Sequence, residues 1–85
     1  MPWSIEWTDQ AVRDLGRIDR SVARRIVAKL EQSSSNPRRF FFHLKGSDDH
    51  KLQVGDWRVI AVLSHATRTI LVQHVDHRSR IYERG

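Results

Sequence analysis

Cysteine is absent from this 85-residue sequence, and proline, methionine and tyrosine are scarce, at two, one and one. Without thiols there is no disulfide, no thiolate nucleophile and none of the common cysteine-bearing zinc modules, so the fold rests on its core alone. A chain of this length buries roughly 60–65% of its unfolded surface, which leaves that core thin. Long hydrophobic runs are also missing. Charged residues make up 29% of the chain, and no apolar stretch approaches the roughly 20 residues that a bilayer-crossing helix needs. The opening Met1-Pro2-Trp3-Ser4-Ile5-Glu6-Trp7 has neither a basic head nor an apolar stretch, so no secretory signal is read there and a cytoplasmic location is expected. Acid is in deficit: ten Asp and Glu stand against fifteen Lys and Arg, for a net charge of +5. That surplus attracts polyanions and speeds their encounter, but it does not choose among RNA, DNA and an acidic protein.

What is present is 39% hydrophobic residues with three Trp and three Phe, enough for one folded domain over residues 1–85. Trp3, Ile5 and Trp7 alternate with Ser4 and Glu6, the period-2 pattern of a half-buried strand. Thr8 offers a hydroxyl N-cap, and Asp9 puts negative charge in the first turn of a helix carrying Ala11, Val12, Leu15 and Ile18. A second apolar stripe, Val22, Ala23, Ile26, Val27 and Leu30, follows a break near Arg17–Ser21, with Asp19 or Ser21 as its cap. Ser33-Ser34-Ser35-Asn36-Pro37 ends that helix. Phe40–Leu44 reads either as a short strand or as an apolar plug beneath the helices. After the polar loop Gly46–Asp49, Lys51–Val54 and Trp57–Leu63 form a hairpin about Gly55-Asp56, where Gly first suits a type II′ turn. A third strand is expected over Thr69–Val75. The order predicts an α+β fold: an N-terminal strand, then a two-helix hairpin packed on a twisted antiparallel sheet.

The hairpin register decides which side chains share a face. A two-residue turn pairs Val54 with Trp57, Gln53 with Arg58 and Lys51 with Ile60. Alternation then places Leu52, Val54, Trp57 and Val59 on one face, and Lys51, Gln53 and Arg58 on the other. The first set can dock on the helices, and the second presents its cations where a polyanion would be met. The C-terminal tract adds His77, Arg78, Arg80 and Tyr82. An imidazole, two guanidiniums and a phenol within six residues can carry a proton, clamp phosphate and stack on a base. Basic termini are also commonly no more than solvated tails.

The run Lys51-x-x-Val54-Gly55-Asp56-Trp57-Arg58-Val59-Ile60, followed about twenty residues later by His77-Arg78-x-x-Ile81-Tyr82, resembles the RelE/ParE superfamily of bacterial and archaeal toxins. The earlier elements agree, including the Leu44-Lys45-Gly46 loop, so the resemblance spans nearly the whole chain. It implies a RelE-like fold, similar to that of small microbial ribonucleases. RelE-type members cut mRNA in the ribosomal A site without a metal or other cofactor, and a wrapping, RelB-like antitoxin silences them in a toxin–antitoxin hetero-oligomer. ParE-type members share the fold and poison DNA gyrase. The resemblance carries catalytic roles to Arg58, on the scissile phosphate, and to Lys51, Arg78 and Tyr82, with RNA contacts expected from Gln53, His77 and Arg80. Metal-free cleavage needs an acceptor for the 2′-OH proton, a donor for the departing 5′-oxygen, and cations for the pentacovalent transition state.

One departure stands out. RelE-type sites often carry a basic residue where this chain has Gln53, and a lost cation would weaken transition-state stabilisation by ~2–4 kcal/mol unless Arg80 or His77 replaces it. His43, His50, His65 and His74 show no metal-site spacing and are read as surface or packing residues. Arg24, Arg25 and Lys29 read as a solvated helix face. Three functions follow as expectations: a ribosome-dependent mRNA endoribonuclease, a gyrase inhibitor, and a catalytically weakened relative that binds antitoxin or nucleic acid.

Overall fold

Alternation at the N-terminus becomes strand β1 (Ser4–Trp7) in the computed structural model, which describes residues 2–77. Thr8 follows in extended conformation, and its hydroxyl accepts the Ala11 amide to start α1 (Asp9–Gly16). Asp19 caps α2 (Arg20–Ser33) by accepting from the Ser21 amide and hydroxyl. Those two bonds hold its carboxyl below the ordinary aspartate value. Ile26 and Leu30 drive the apolar stripe of α2 into the core, where both are fully buried.

Pro37 opens a short further helix, α3 (Pro37–Phe40), that the sequence reading did not include. Proline suits the first helical position because its missing N–H has no partner to lose there. The Phe40–Leu44 tract then divides between the two expected alternatives. Phe41 is a plug, 5% exposed, whereas Phe42 and His43 form the short strand β2 (Phe42–His43).

Strand β3 (Asp49–Val54) starts two residues earlier than expected, and β4 (Trp57–Ser64) and β5 (Thr69–His77) complete the sheet in the order β1-β5-β4-β3-β2. Gly55 has φ +60° and Asp56 has no positive φ, the combination of a II′ turn. One feature departs from the expected sheet. Four strands run antiparallel, but β1 lies parallel to β5, so the sheet is mixed. Tight turns enforce antiparallel neighbours only between consecutive strands, and helices and strands intervene between these two.

The core lies on one face of the sheet. Leu52 and Val54, Val59, Ala61 and Leu63, and Ile70, Val72 and Val75 all point inward to meet Ala11, Ile26 and Leu30. A β-bulge makes the last of these possible: Ile60 pairs with His74 and Ala61 with Val72, leaving Gln73 without an opposite residue. A one-residue slip exchanges the faces of every residue beyond it. Val75 therefore enters the core and His74 leaves it. Helix α1 fastens the irregular stretch, since the Thr8 hydroxyl donates to the Gln73 carbonyl at 3.1 Å and the Asp14 carboxylate accepts the Val75 amide at 3.0 Å. No helix among the described residues is long and apolar enough to cross a membrane.

Candidate functional site

The hairpin pairs as its turn dictates: Val54 with Trp57, Gln53 with Arg58 and Lys51 with Ile60. Leu52, Val54 and Val59 are buried on the helix side, so Lys51, Gln53 and Arg58 lie on the opposite face. Lys51 and Arg58 are diagonal neighbours on adjacent strands, a relation that separates Cβ atoms by about 7 Å and lets two long cationic side chains converge on one anion. Gln53 sits between turn and guanidinium. Its Nε2 donates to the Gly55 carbonyl, and its Oε1 accepts from Arg58 Nε at 3.1 Å. The Gln53 amide thus ties the Arg58 guanidinium to the β3–β4 turn. Asp76 of β5 stands opposite Arg58 on the other side, where its Oδ1 accepts the His77 amide at 2.9 Å. The row across three strands therefore reads amide, guanidinium, carboxylate.

His77 pairs with Trp57 in the ladder, and their rings meet edge to face with centroids 5.2 Å apart. Trp57 packs against the core cluster, so the imidazole of His77 lies on the helix side of the sheet. There it borders a cleft of about 500 Å³ between α1 and the end of β5, lined also by Gln10, Asp14, Arg17 and Trp57. His77 and Arg58 are thus on opposite faces.

Comparison with known proteins bears on this arrangement. Residues 5–82 match the family described as ParE toxin of type II toxin–antitoxin system, parDE. The chain belongs to the RelE/ParE family of type II toxins. Its fold is that of solved RelE structures. The toxin of the RelBE2 toxin–antitoxin complex from Mycobacterium tuberculosis aligns with TM-score 0.86 at 22% identity, over 93% of this chain and 94% of that one. The isolated E. coli RelE toxin aligns with TM-score 0.77 at 18% identity, over 96% and 93%. In the archaeal RelE–RelB complex from Pyrococcus horikoshii the corresponding chain aligns with TM-score 0.75 at 21% identity, over 94% and 99%. A comparison with curated proteins finds no match.

Among the toxin's expected site residues, the sheet brings Lys51, Gln53 and Arg58 together and turns His77 to the other face. Arg78, Arg80 and Tyr82 lie outside the described residues. Two features of the site went unread in the sequence. The first is the bridging role of Gln53, which a polar residue two before a tight turn and opposite an arginine could have suggested. The second is Asp76, whose position depends on the bulge. Its signal is the spacing Ile70-x-Val72-x-x-Val75, where strict alternation fails by one residue. Among the described residues no group of three or more His, Cys, Asp or Glu side chains could hold a metal.

Proposed function

We propose that this toxin is a ribosome-dependent endoribonuclease that cuts mRNA in the A site, and that a RelB-like antitoxin silences it in a hetero-oligomer. The observation that supports cleavage is the placement of Lys51 and Arg58 as diagonal neighbours on one sheet face, with Arg58 Nε hydrogen-bonded to Gln53. In the reaction the 2′-oxygen forms a bond to phosphorus as the bond from phosphorus to the 5′-oxygen breaks. Negative charge grows on the non-bridging oxygens, and Arg58 and Lys51 stabilise it. By the family resemblance Arg78 and Tyr82 complete the catalytic group, Tyr82 by stacking on a base or assisting proton transfer, and Arg80 contacts flanking RNA. His77, on the opposite face of the sheet, is not part of the Lys51–Arg58 surface. The antitoxin assignment draws on the RelB-bound state of the M. tuberculosis and P. horikoshii relatives.

A second reading, inhibition of gyrase, is favoured by the ParE description of the matched family and by the carboxylate of Asp76 opposite Arg58, which offsets the charge a phosphate would meet. Induced expression with transcript ends mapped separates the two. Cuts clustered in translated codons, reduced by about 10²–10³-fold in Arg58→Ala, are the expected result. Growth arrest with DNA damage and intact mRNA would replace the first reading with the second.

A further inference from the structure

Strand β2 is only two residues long, and its two side chains point to opposite faces of the sheet. Phe42 pairs with Lys51 on the candidate site's face and is 63% exposed. His43 pairs with His50, and their rings lie 4.8 Å apart at a 40° tilt. Loop carbonyls set the tautomer of both rings. His43 Nε2 bonds the Ser47 carbonyl and His50 Nδ1 bonds the Asp48 carbonyl at 3.1 Å. A carbonyl only accepts, so each of these nitrogens carries its hydrogen. Both rings line a pocket of about 370 Å³ together with Arg38 and His65.

The charged and titratable groups facing this pocket are Arg38 from α3, His43 from β2, His50 from β3 and His65 from the β4–β5 turn, where His65 rests edge-on against Trp3. No carboxylate lines it among the described residues. A permanent cation beside three imidazoles, with no carboxylate in the described lining although Asp48 and Asp49 precede His50 in the chain, disfavours a metal ion and favours an anion. Position supplies the source of that anion. His43 also lines a shallow groove of about 430 Å³ on the other side of the β2 edge, with Phe42, Lys45, Lys51 and Gln53. A nucleic-acid strand leaving Lys51 can therefore cross the edge with a base on Phe42. It then meets the imidazoles within a few nucleotides, because the sheet is only about 4.8 Å per strand wide.

We propose that Arg38, His43, His50 and His65 form a second phosphate site that holds the backbone of an RNA strand after it leaves the Lys51–Arg58 face. The proposal rests on the RNA reading of that face. Inorganic phosphate shares the chemistry, and the test distinguishes it.

The probe is a 2′-O-methyl RNA hexamer without terminal phosphate, which cannot be cleaved, titrated into the whole protein while the imidazole C–H resonances are followed by NMR. The expected result is movement of the His43 and His50 signals together. The hexamer should bind 5- to 10-fold more weakly to the His43→Gln/His50→Gln variant and to Arg38→Gln. Should the hexamer bind and Arg58→Gln weaken it while the rings stay unmoved, the second site is overturned and the first reading stands. Absence of any hexamer binding overturns the second site, whereas the first reading is overturned separately by intact mRNA in the induced-expression experiment. Inorganic phosphate moving the rings when the hexamer does not overturns the RNA assignment in favour of a free-anion site. The wild-type spectra carry the test even if the double variant fails to fold.

Discussion

Gln53 shows how one side chain alters the meaning of a site. Read only by charge, it is a missing cation. In the structure it is a bridge between the Gly55 carbonyl and Arg58 Nε. A guanidinium binds phosphate through a planar fork, so its orientation matters as much as its charge. Gln53→Ala removes the bridge while leaving the cations in place, and the expected outcome is a drop of roughly 10-fold in ribosome-dependent cleavage, since small losses of alignment at a reacting centre are costly. Gln53 is exposed, so the denaturation midpoint should shift by no more than about 0.5 kcal/mol in stability. Cleavage and stability measured on the same variant separate the two roles: unchanged cleavage would return Gln53 to the standing of an ordinary surface residue.

At the scale of elements, most of the fold could be read because local signals agree with one another. The Thr8 and Asp19 caps, the stripe from Val22 to Leu30 and the Gly55-Asp56 turn each state their own boundary, and the turn alone fixes the faces of Lys51 and Arg58. What was not legible depends on partners distant in sequence. The parallel seat of β1 beside β5 requires knowing which sheet edge the N-terminus reaches. The register of β4 on β5 requires the bulge, which puts Asp76 rather than Val75 opposite Arg58. Thr8 connects these distant parts, since its one hydroxyl accepts from Ala11 and donates to the Gln73 carbonyl. Thr8→Ala removes both bonds. It is expected to lower stability by about 1–2 kcal/mol, the upper range for an N-cap, whereas Thr8→Ser retains most of it. Urea denaturation of the three proteins measures this, and equal losses in Ala and Ser variants would assign the effect to the methyl group instead.

For the whole molecule, the net charge of +5 is a statement about encounter, and its distribution is a statement about path. Lys51 and Arg58 occupy one face, Lys45 borders the β2 edge, and Arg38 lies beyond it with the imidazoles. An RNA strand following that route meets about three to four cations. Each phosphate neutralised on single-stranded nucleic acid releases counterions, so log K should fall against log salt with a slope of roughly −2 to −3. Arg58→Gln removes one such contact and is expected to make the slope shallower by about 0.7. The uncleavable hexamer, titrated by fluorescence anisotropy between 50 and about 200 mM salt, gives both numbers within the range where the relation is linear. Affinity and slope carry different information here. Weaker binding with an unchanged slope would mean that Arg58 shapes the face without touching phosphate, as its bond to Gln53 and its position opposite Asp76 would allow. A shallower slope assigns it to the phosphate directly, because only a charge that displaces counterions changes how binding depends on salt.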